Sequence, residues 1–143
     1  MAKYIIKDAV LTVKAVDLSN RVAEITVNMN ADDVDVSTMG TGVHQHLAGL
    51  RNDSFVVKFL QDFATSMVDQ TLAPLVATAS SQPTFAVVAH PFTGSASATN
   101  PYYQCAEGVL LDYQPMSGAI GARSEVDVTF FANDSIVRNP TAT

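Results

Sequence analysis

The stretch that decides the fold begins with Arg21-Val22-Ala23-Glu24-Ile25-Thr26-Val27-Asn28-Met29. Its odd-numbered positions from 23 onward are apolar, and its even-numbered positions from 24 onward are polar. Successive side chains of a strand point to opposite faces, so this alternation predicts a strand with one buried and one solvated face. A second run, Ser54-Phe55-Val56-Val57-Lys58-Phe59-Leu60-Gln61, predicts another strand, with Phe55, Val57 and Phe59 on one face.

The segment between these strands, from about Asn30 to Asp53, is far longer than the few residues a hairpin needs. A loop of that length in a compact domain is usually functional or disordered. It is acidic at Ala31–Ser37, where alternation with valine also permits a short strand extension, glycine-flexible at Thr38–Val43 and apolar at Leu47–Leu50. Exposed apolar segments mark interaction sites, so we expect this loop to dock on another subunit. The contact residues expected are Asp33, Asp35, Met39, His44, His46, Leu47 and Leu50.

The same loop carries residues that metals bind. The run beginning at Asp32 resembles the start of a calcium loop, but it lacks the glycine at the sixth position and the glutamate at the twelfth. His44 and His46 would share a face on a strand, but a zinc site needs a third and usually a fourth protein ligand. We therefore expect these residues to form hydrogen bonds at a contact surface, and we expect no metal or other cofactor.

The rest of the chain is mostly β in character. Lys3–Asp17 predicts one or two strands, and a turn follows before Arg21. Ser66 is predicted to cap a helix of two to three turns, limited by Pro74, whose buried stripe is Val68, Leu72 and Leu75. Further strands are predicted at Thr84–Ala89, Tyr102–Gln114, Ser124–Phe131 and Ile136–Arg138, with a frayed tail at Asn139–Thr143.

About seven or eight strands with turn signals between them predict a mainly β fold, an antiparallel β-sandwich or barrel with one short α-helix and a long hairpin loop. No linker is visible in the 143 residues, so residues 1–143 are expected to form a single domain. No apolar run approaches the length of a membrane helix, and the N-terminus has too short an apolar core for a signal peptide. We expect synthesis in a cytoplasm and no membrane partner.

Charge, cysteine content and the lack of catalytic motifs exclude several classes of function. The net charge is −6, which opposes nucleic-acid binding, although an acidic surface would let nucleic acid pass without sticking. Cys105 is the only cysteine, and it is expected to be a small core residue. Ser95 and Ser97 lack a nucleophile-elbow context, and His90 is expected to end a strand. No catalytic signature is present, so we expect a protein that is not an enzyme.

The order of elements resembles a known family. A hairpin with a long internal segment precedes one helix, and the chain closes with Gly108–Pro115, Gly121 and Val126–Phe131. Val16-Asp17-Leu18-Ser19 and Asp33–Gly40 are also similar to phage virion sequences. Together these features resemble the tail tube (major tail) proteins of long-tailed bacteriophages, a fold shared with related injection-machine tube proteins.

The resemblance implies a structural virion protein of the tail, made in the bacterial cytoplasm. It implies hexameric rings stacked into a hollow tube through which DNA passes, with the Asn30–Asp53 loop contacting the neighbouring ring. Glu24, Glu125 and Asp127 are the expected lumen-facing acids, because they lie on polar faces of strands. The alternative is a capsid decoration protein, whose loops would grip the shell.

Overall fold

The computed structural model describes residues 9–40 and 42–141. The predicted strand before residue 9 and the last two residues of the predicted frayed tail lie outside these ranges. The expected mainly antiparallel β fold with one short α-helix is confirmed within them. The strands are β1 (Val10–Val13), β2 (Val16–Asp17), β3 (Val22–Asn28), β4 (Ala31–Asp35), β5 (His46–Arg51), β6 (Ser54–Leu60), β7 (Phe85–His90), β8 (Tyr102–Leu110), β9 (Glu125–Ala132) and β10 (Val137–Asn139), and the helix α1 (Val68–Leu72) lies between β6 and β7.

The main sheet runs in the order β2-β1-β7-β8-β9-β6-β3, with β10 paired to β8, while β4 and β5 pair only with each other. Six inter-strand spacings would separate the two edges of a flat sheet of this kind by about 29 Å. Asp17 at the end of β2 and Val22 at the start of β3 are joined by a short 3₁₀ turn, Ser19–Arg21, which spans less than about 18 Å. The sheet therefore curls until its two edge strands approach each other.

The core fills the concave side of this curl. Phe55, Val57 and Phe59 of β6 are all fully buried, as the alternation in the sequence predicts. Phe130 of β9 meets Phe59 and Phe85 edge to face, with ring centroids 6.5 and 5.8 Å apart. Edge-to-face aromatic pairs add about 0.5–1.5 kcal/mol each beyond the area they bury.

The alternation in β3 is interrupted. Val22 pairs with Phe59 and Glu24 pairs with Lys58, so Ala23 is an extra residue at a β-bulge. The bulge turns Val22 toward the core and leaves Ala23 exposed, which corrects the prediction that Ala23 lies on the buried face.

The helix buries Val68, Leu72 and Leu75, as its spacing predicts, with Leu75 in a 3₁₀ turn that follows α1. The predicted cap is wrong. The N-cap position is Met67, with no side-chain capping bond, and Ser66 precedes it at a φ of +60°. Asp69 in the first turn instead accepts a hydrogen bond from the Tyr113 hydroxyl at 2.9 Å. This bond connects the helix to the segment after β8.

β8 ends at Leu110, before the predicted Gln114, because its pairing with β9 stops at Leu110 and Phe130. β9 and β10 share one edge of β8. Between them the Asp134 carboxylate accepts hydrogen bonds from the N–H groups of Ala106 and Glu107, at 3.0 and 3.4 Å. The carboxylate thus replaces the missing strand partner at this point.

Candidate assembly surface

The segment predicted as a long loop is a β-ribbon. β4 pairs antiparallel with β5, and the Val36 N–H donates to Gln45 O at 2.9 Å, which extends the pairing toward the tip. Gly49 and Leu50 oppose Asp32 at a bulge near the base of the ribbon. A Cβ on Gly49 would lie 3.1 Å from Val34 Cγ2, so a larger residue would crowd the partner strand. We call residues 31–51, excluding the undescribed Thr41, the ribbon.

The ribbon has two chemically different faces. Val34 pairs directly with Leu47, and these two side chains share one face. On the other face, Asp35 lies opposite His46 and Asp33 lies opposite Ala48. The alternation from Asp33 to Asp35 therefore places these two carboxylates on one side and Val34 on the other, with Asp32 near the bulge on the side of Val34.

Neither face of the ribbon rests on the core. Every residue of β5 is exposed, and in β4 only Ala31 is partly buried. Leu47 and Leu50 expose 60% and 79% of their area, and Met39 at the tip is fully exposed. A two-stranded ribbon is marginally stable by itself in water, and exposed apolar area of this kind indicates an interaction site.

Imidazole–carboxylate contacts cover the acidic face. Nδ1 of His46 lies 2.8 and 2.9 Å from the two carboxylate oxygens of Asp33, and Nδ1 of His44 lies 3.6 Å from Asp35. Hydrogen bonds from Ser37, with a smaller contribution from His44, hold the pKa of Asp35 below its usual range. Across residues 9–40 and 42–141, no three His, Cys, Asp or Glu side chains converge as a metal site would require. The arrangement favours the hydrogen-bonding interpretation of these residues.

Asp53, a residue that no sequence pattern singles out, fixes the base of the ribbon. Its side chain is 1% exposed and accepts hydrogen bonds from Asn30 N–H at 3.0 Å, Ile136 N–H at 2.8 Å and Arg51 Nη2 at 2.6 Å. Burial alone would raise the pKa of Asp53, but these donors outweigh it and hold the pKa below the usual range. Asp53 therefore joins both ends of the ribbon to the segment after β9.

The three acids predicted to face a lumen lie together on the convex face of β3, β6 and β9. Glu24 and Asp127 are the cross-strand neighbours of Lys58 on either side. Lys58 Nζ lies 3.8 Å from Glu125 and 4.0 Å from Asp127, and Glu125 also pairs with Arg123. Glu125 and Asp127 thus pair with cations, and Glu24 lies beside Lys58 on the same face.

A second apolar surface, missed in the sequence, lies in the segment between β8 and β9. Met116 is 85% exposed and Ile120 is fully exposed, and Phe63, two residues after the Gln61 that binds this segment, is more than half exposed. The Gln61 side chain fixes this segment by donating to Pro115 O at 2.7 Å and to the Tyr113 hydroxyl at 2.9 Å. The signal available in the sequence was two large apolar residues inside a glycine- and serine-rich turn.

Two of the residues considered for catalysis, His90 and Cys105, are used for packing, whereas Ser95 and Ser97 are exposed. His90 is buried, stacks on Tyr102 with ring centroids 4.1 Å apart, and donates from Nδ1 to Phe92 O at 2.6 Å. Burial raises the pKa of the Cys105 thiol to about 11, so this thiol is protonated at neutral pH. No helix in the described part of the chain is long and apolar enough to cross a membrane.

Comparison with known proteins gives matches in structure alone. No model of a known protein family matches the sequence, and no curated protein does so either. A chain in the virion of a native gene transfer agent particle matches with a TM-score of 0.66 and 14% identity, over 92% of this chain and 95% of that chain. A chain of the tail of an empty gene transfer agent particle, refined with C6 symmetry, matches with a TM-score of 0.60 and 17% identity, over 83% and 82%.

A third match comes from an extracellular contractile injection system called PVC. A chain of its sheath/tube terminator in the extended state has a TM-score of 0.72 and 6% identity, over 97% of this chain and 98% of that chain. The predicted resemblance to tail tube proteins is therefore confirmed at the level of the fold. The chain has the fold found in tail and tube assemblies of gene transfer agents and contractile injection systems.

Proposed function

We propose that the chain is a structural subunit of a virion tail tube, and that it stacks as hexameric rings into a hollow conduit for DNA delivery. The observation that carries the proposal is the ribbon, an extended element in whose strands every residue except Ala31 is exposed. Such an element gains its stability from a partner, and a subunit that repeats along a tube always has one. The fold of the tail assemblies described above supports the same role.

In this proposal the ribbon contacts a neighbouring ring. Its apolar face, with Val34 and Leu47, supplies the area that is removed from water. Its acidic face, with Asp33, Asp35 and the two histidines, supplies hydrogen-bonding groups at the edge of the contact. Met39 at the tip and Leu50 near the base complete the proposed set.

The convex face of β3, β6 and β9 lines the conduit in this proposal. The patch of Glu24, Glu125 and Asp127 has more carboxylates than cations. Phosphate groups are repelled by such a surface, so DNA would pass without binding to it. His90 and Cys105 are committed to packing, and the proposed function needs no substrate and no cofactor.

The test is negative-stain electron microscopy and sedimentation of the purified protein. Tubes or six-fold rings are expected from the wild type. Leu47→Glu places a charge on the apolar face of the ribbon and is expected to abolish stacking. Thr26→Glu adds the same charge at an exposed position of β3 and serves as the matched control, which is expected to assemble normally.

The two variants also separate the proposal from its alternative. A protein that stays monomeric at all concentrations, or whose Leu47→Glu variant forms tubes as readily as the wild type, contradicts the tail tube proposal. Trimers that bind capsids, with no tubes, would instead indicate a capsid decoration protein.

A further inference from the structure

The exposed large hydrophobic side chains gather mainly at two places. One group lies on the ribbon and its base and includes Val34, Leu47 and Leu50. The other group, which we call the distal patch, consists of Phe63, Met116 and Ile120. Scattered single hydrophobic residues on a surface are ordinary, but two groups of this kind on one small chain are candidates for contact surfaces.

The two groups lie at opposite ends of β6. The ribbon ends at Arg51, immediately before β6 begins at Ser54. At the other end, Leu60 pairs with Glu125, and the Gln61 N–H donates to Ser124 O at 3.1 Å, where the segment carrying the distal patch ends. The length of a seven-residue strand, about 20 Å, therefore separates the base of the ribbon from the distal patch.

We propose that the distal patch is the receiving surface for the ribbon of the next copy of the chain along the tube. The apolar face of one ribbon, with Val34 and Leu47, would cover Met116 and Ile120 of its neighbour. This inference rests on the proposed function and adds to it the partner surface on the same polypeptide.

The placement of the two groups favours this head-to-tail contact over a symmetric one. A two-fold contact between ribbons would cover the ribbons and leave the distal patch in water. A contact between unlike surfaces at opposite ends covers both and repeats indefinitely along one direction. The distal patch is also held in place, because Gln61 binds Pro115 O and the Tyr113 hydroxyl, which in turn donates to Asp69 of the helix.

Cysteine cross-linking tests the pairing directly. Leu47→Cys and Ile120→Cys are made in separate chains, and each is assembled alone and in an equal mixture, then treated with a short bis-maleimide. The native Cys105 is buried, so it does not interfere. Thr26→Cys, at an exposed position within β3 and outside both surfaces, replaces Ile120→Cys in the control mixture. Electron microscopy of each sample records whether tubes are present.

The expected result is a cross-linked dimer in the mixture of Leu47→Cys and Ile120→Cys tubes, at least ten times more abundant than in the control mixture. If tubes form but the mixture does not cross-link, the pairing is wrong. The pairing is also wrong if Leu47→Cys chains cross-link by themselves. Neither result contradicts the tail tube proposal. Absence of any assembled particle contradicts both the pairing and the proposed function.

Discussion

Asp53→Asn is the most informative single substitution, because one buried carboxylate holds both ends of the ribbon. Its two oxygens accept from two backbone N–H groups and from the Arg51 guanidinium. Asparagine has nearly the same shape, but it keeps only one acceptor oxygen and presents an NH₂ group to the remaining donors. At least one backbone N–H therefore loses its acceptor, and the bonds that remain are made to a neutral oxygen instead of a charged one.

The magnitude follows from these contacts. A hydrogen bond to a charged group contributes about 1.5–3 kcal/mol, and a buried donor without a partner costs about 1–3 kcal/mol. The Arg51 side chain is 41% exposed, so water can replace the bonds that it loses, and these bonds contribute little to the destabilisation. We expect the free energy of unfolding to fall by about 3 kcal/mol, most of it from the backbone donors of Asn30 and Ile136.

The assay is urea unfolding at a protein concentration where sedimentation shows monomers. With a slope of about 2 kcal/mol per molar urea, the midpoint falls by about 1.5 M. Asp33→Asn is the control, because its carboxylate is exposed on the ribbon, and its effect should stay within about 0.5 kcal/mol. An Asp53→Asn midpoint indistinguishable from that of the control would refute the reasoning.

The pH dependence gives an independent check. The folded pKa of Asp53 lies below its unfolded value of about 3.9. Its stabilisation is therefore fully present above the unfolded pKa and is lost as the pH falls through the folded pKa. The difference in stability between the wild type and Asp53→Asn should shrink steadily below about pH 4. A difference that stays constant down to pH 2 would contradict the assigned role of the carboxylate.

Three further predictions concern the core and its surroundings. Phe130→Ala should lower the free energy of unfolding by about 3–5 kcal/mol in urea, because Phe59 and Phe85 both lose their edge-to-face partner; a loss below about 1 kcal/mol would be inconsistent with that packing. Tyr113→Phe should cost about 1 kcal/mol at neutral pH. Burial, with Asp69 adding to it, raises the pKa of Tyr113 to about 12, so wild-type stability should fall as the pH rises from about 10 to 12, and this fall should be smaller in Tyr113→Phe. Cys105 should react with iodoacetamide at pH 8 only as fast as the protein unfolds, and rapid labelling of the native protein would contradict its burial.

The core strands could be predicted from the sequence because one-sided burial requires a periodic pattern of apolar residues. Phe55, Val57 and Phe59 recur at every second residue. This is the pattern of any strand with one buried face and one solvated face, because successive side chains point to opposite faces. The helix stripe was predicted for the same reason. The ribbon was predicted as a contact loop but not as two paired strands, because Leu47-Ala48-Gly49-Leu50 shows no alternation and its pairing with β4 passes through a bulge.

The amino-acid sequence by itself determined the mainly β character, the one helix, the buried face of β6 and the presence of an unusually long excursion before it. Only the tertiary structure decided that Asp53 closes the root of that excursion, since its donor Ile136 lies far along the chain. It also decided that Glu24, Lys58 and Asp127 form one row. The hydrogen bonds of Gln61 place the segment that carries Ile120 at the opposite end of β6 from the ribbon. The physical reason is that periodicity records whether a residue is buried, whereas neighbours across strands depend on register and on the curl of the sheet, which no local pattern encodes.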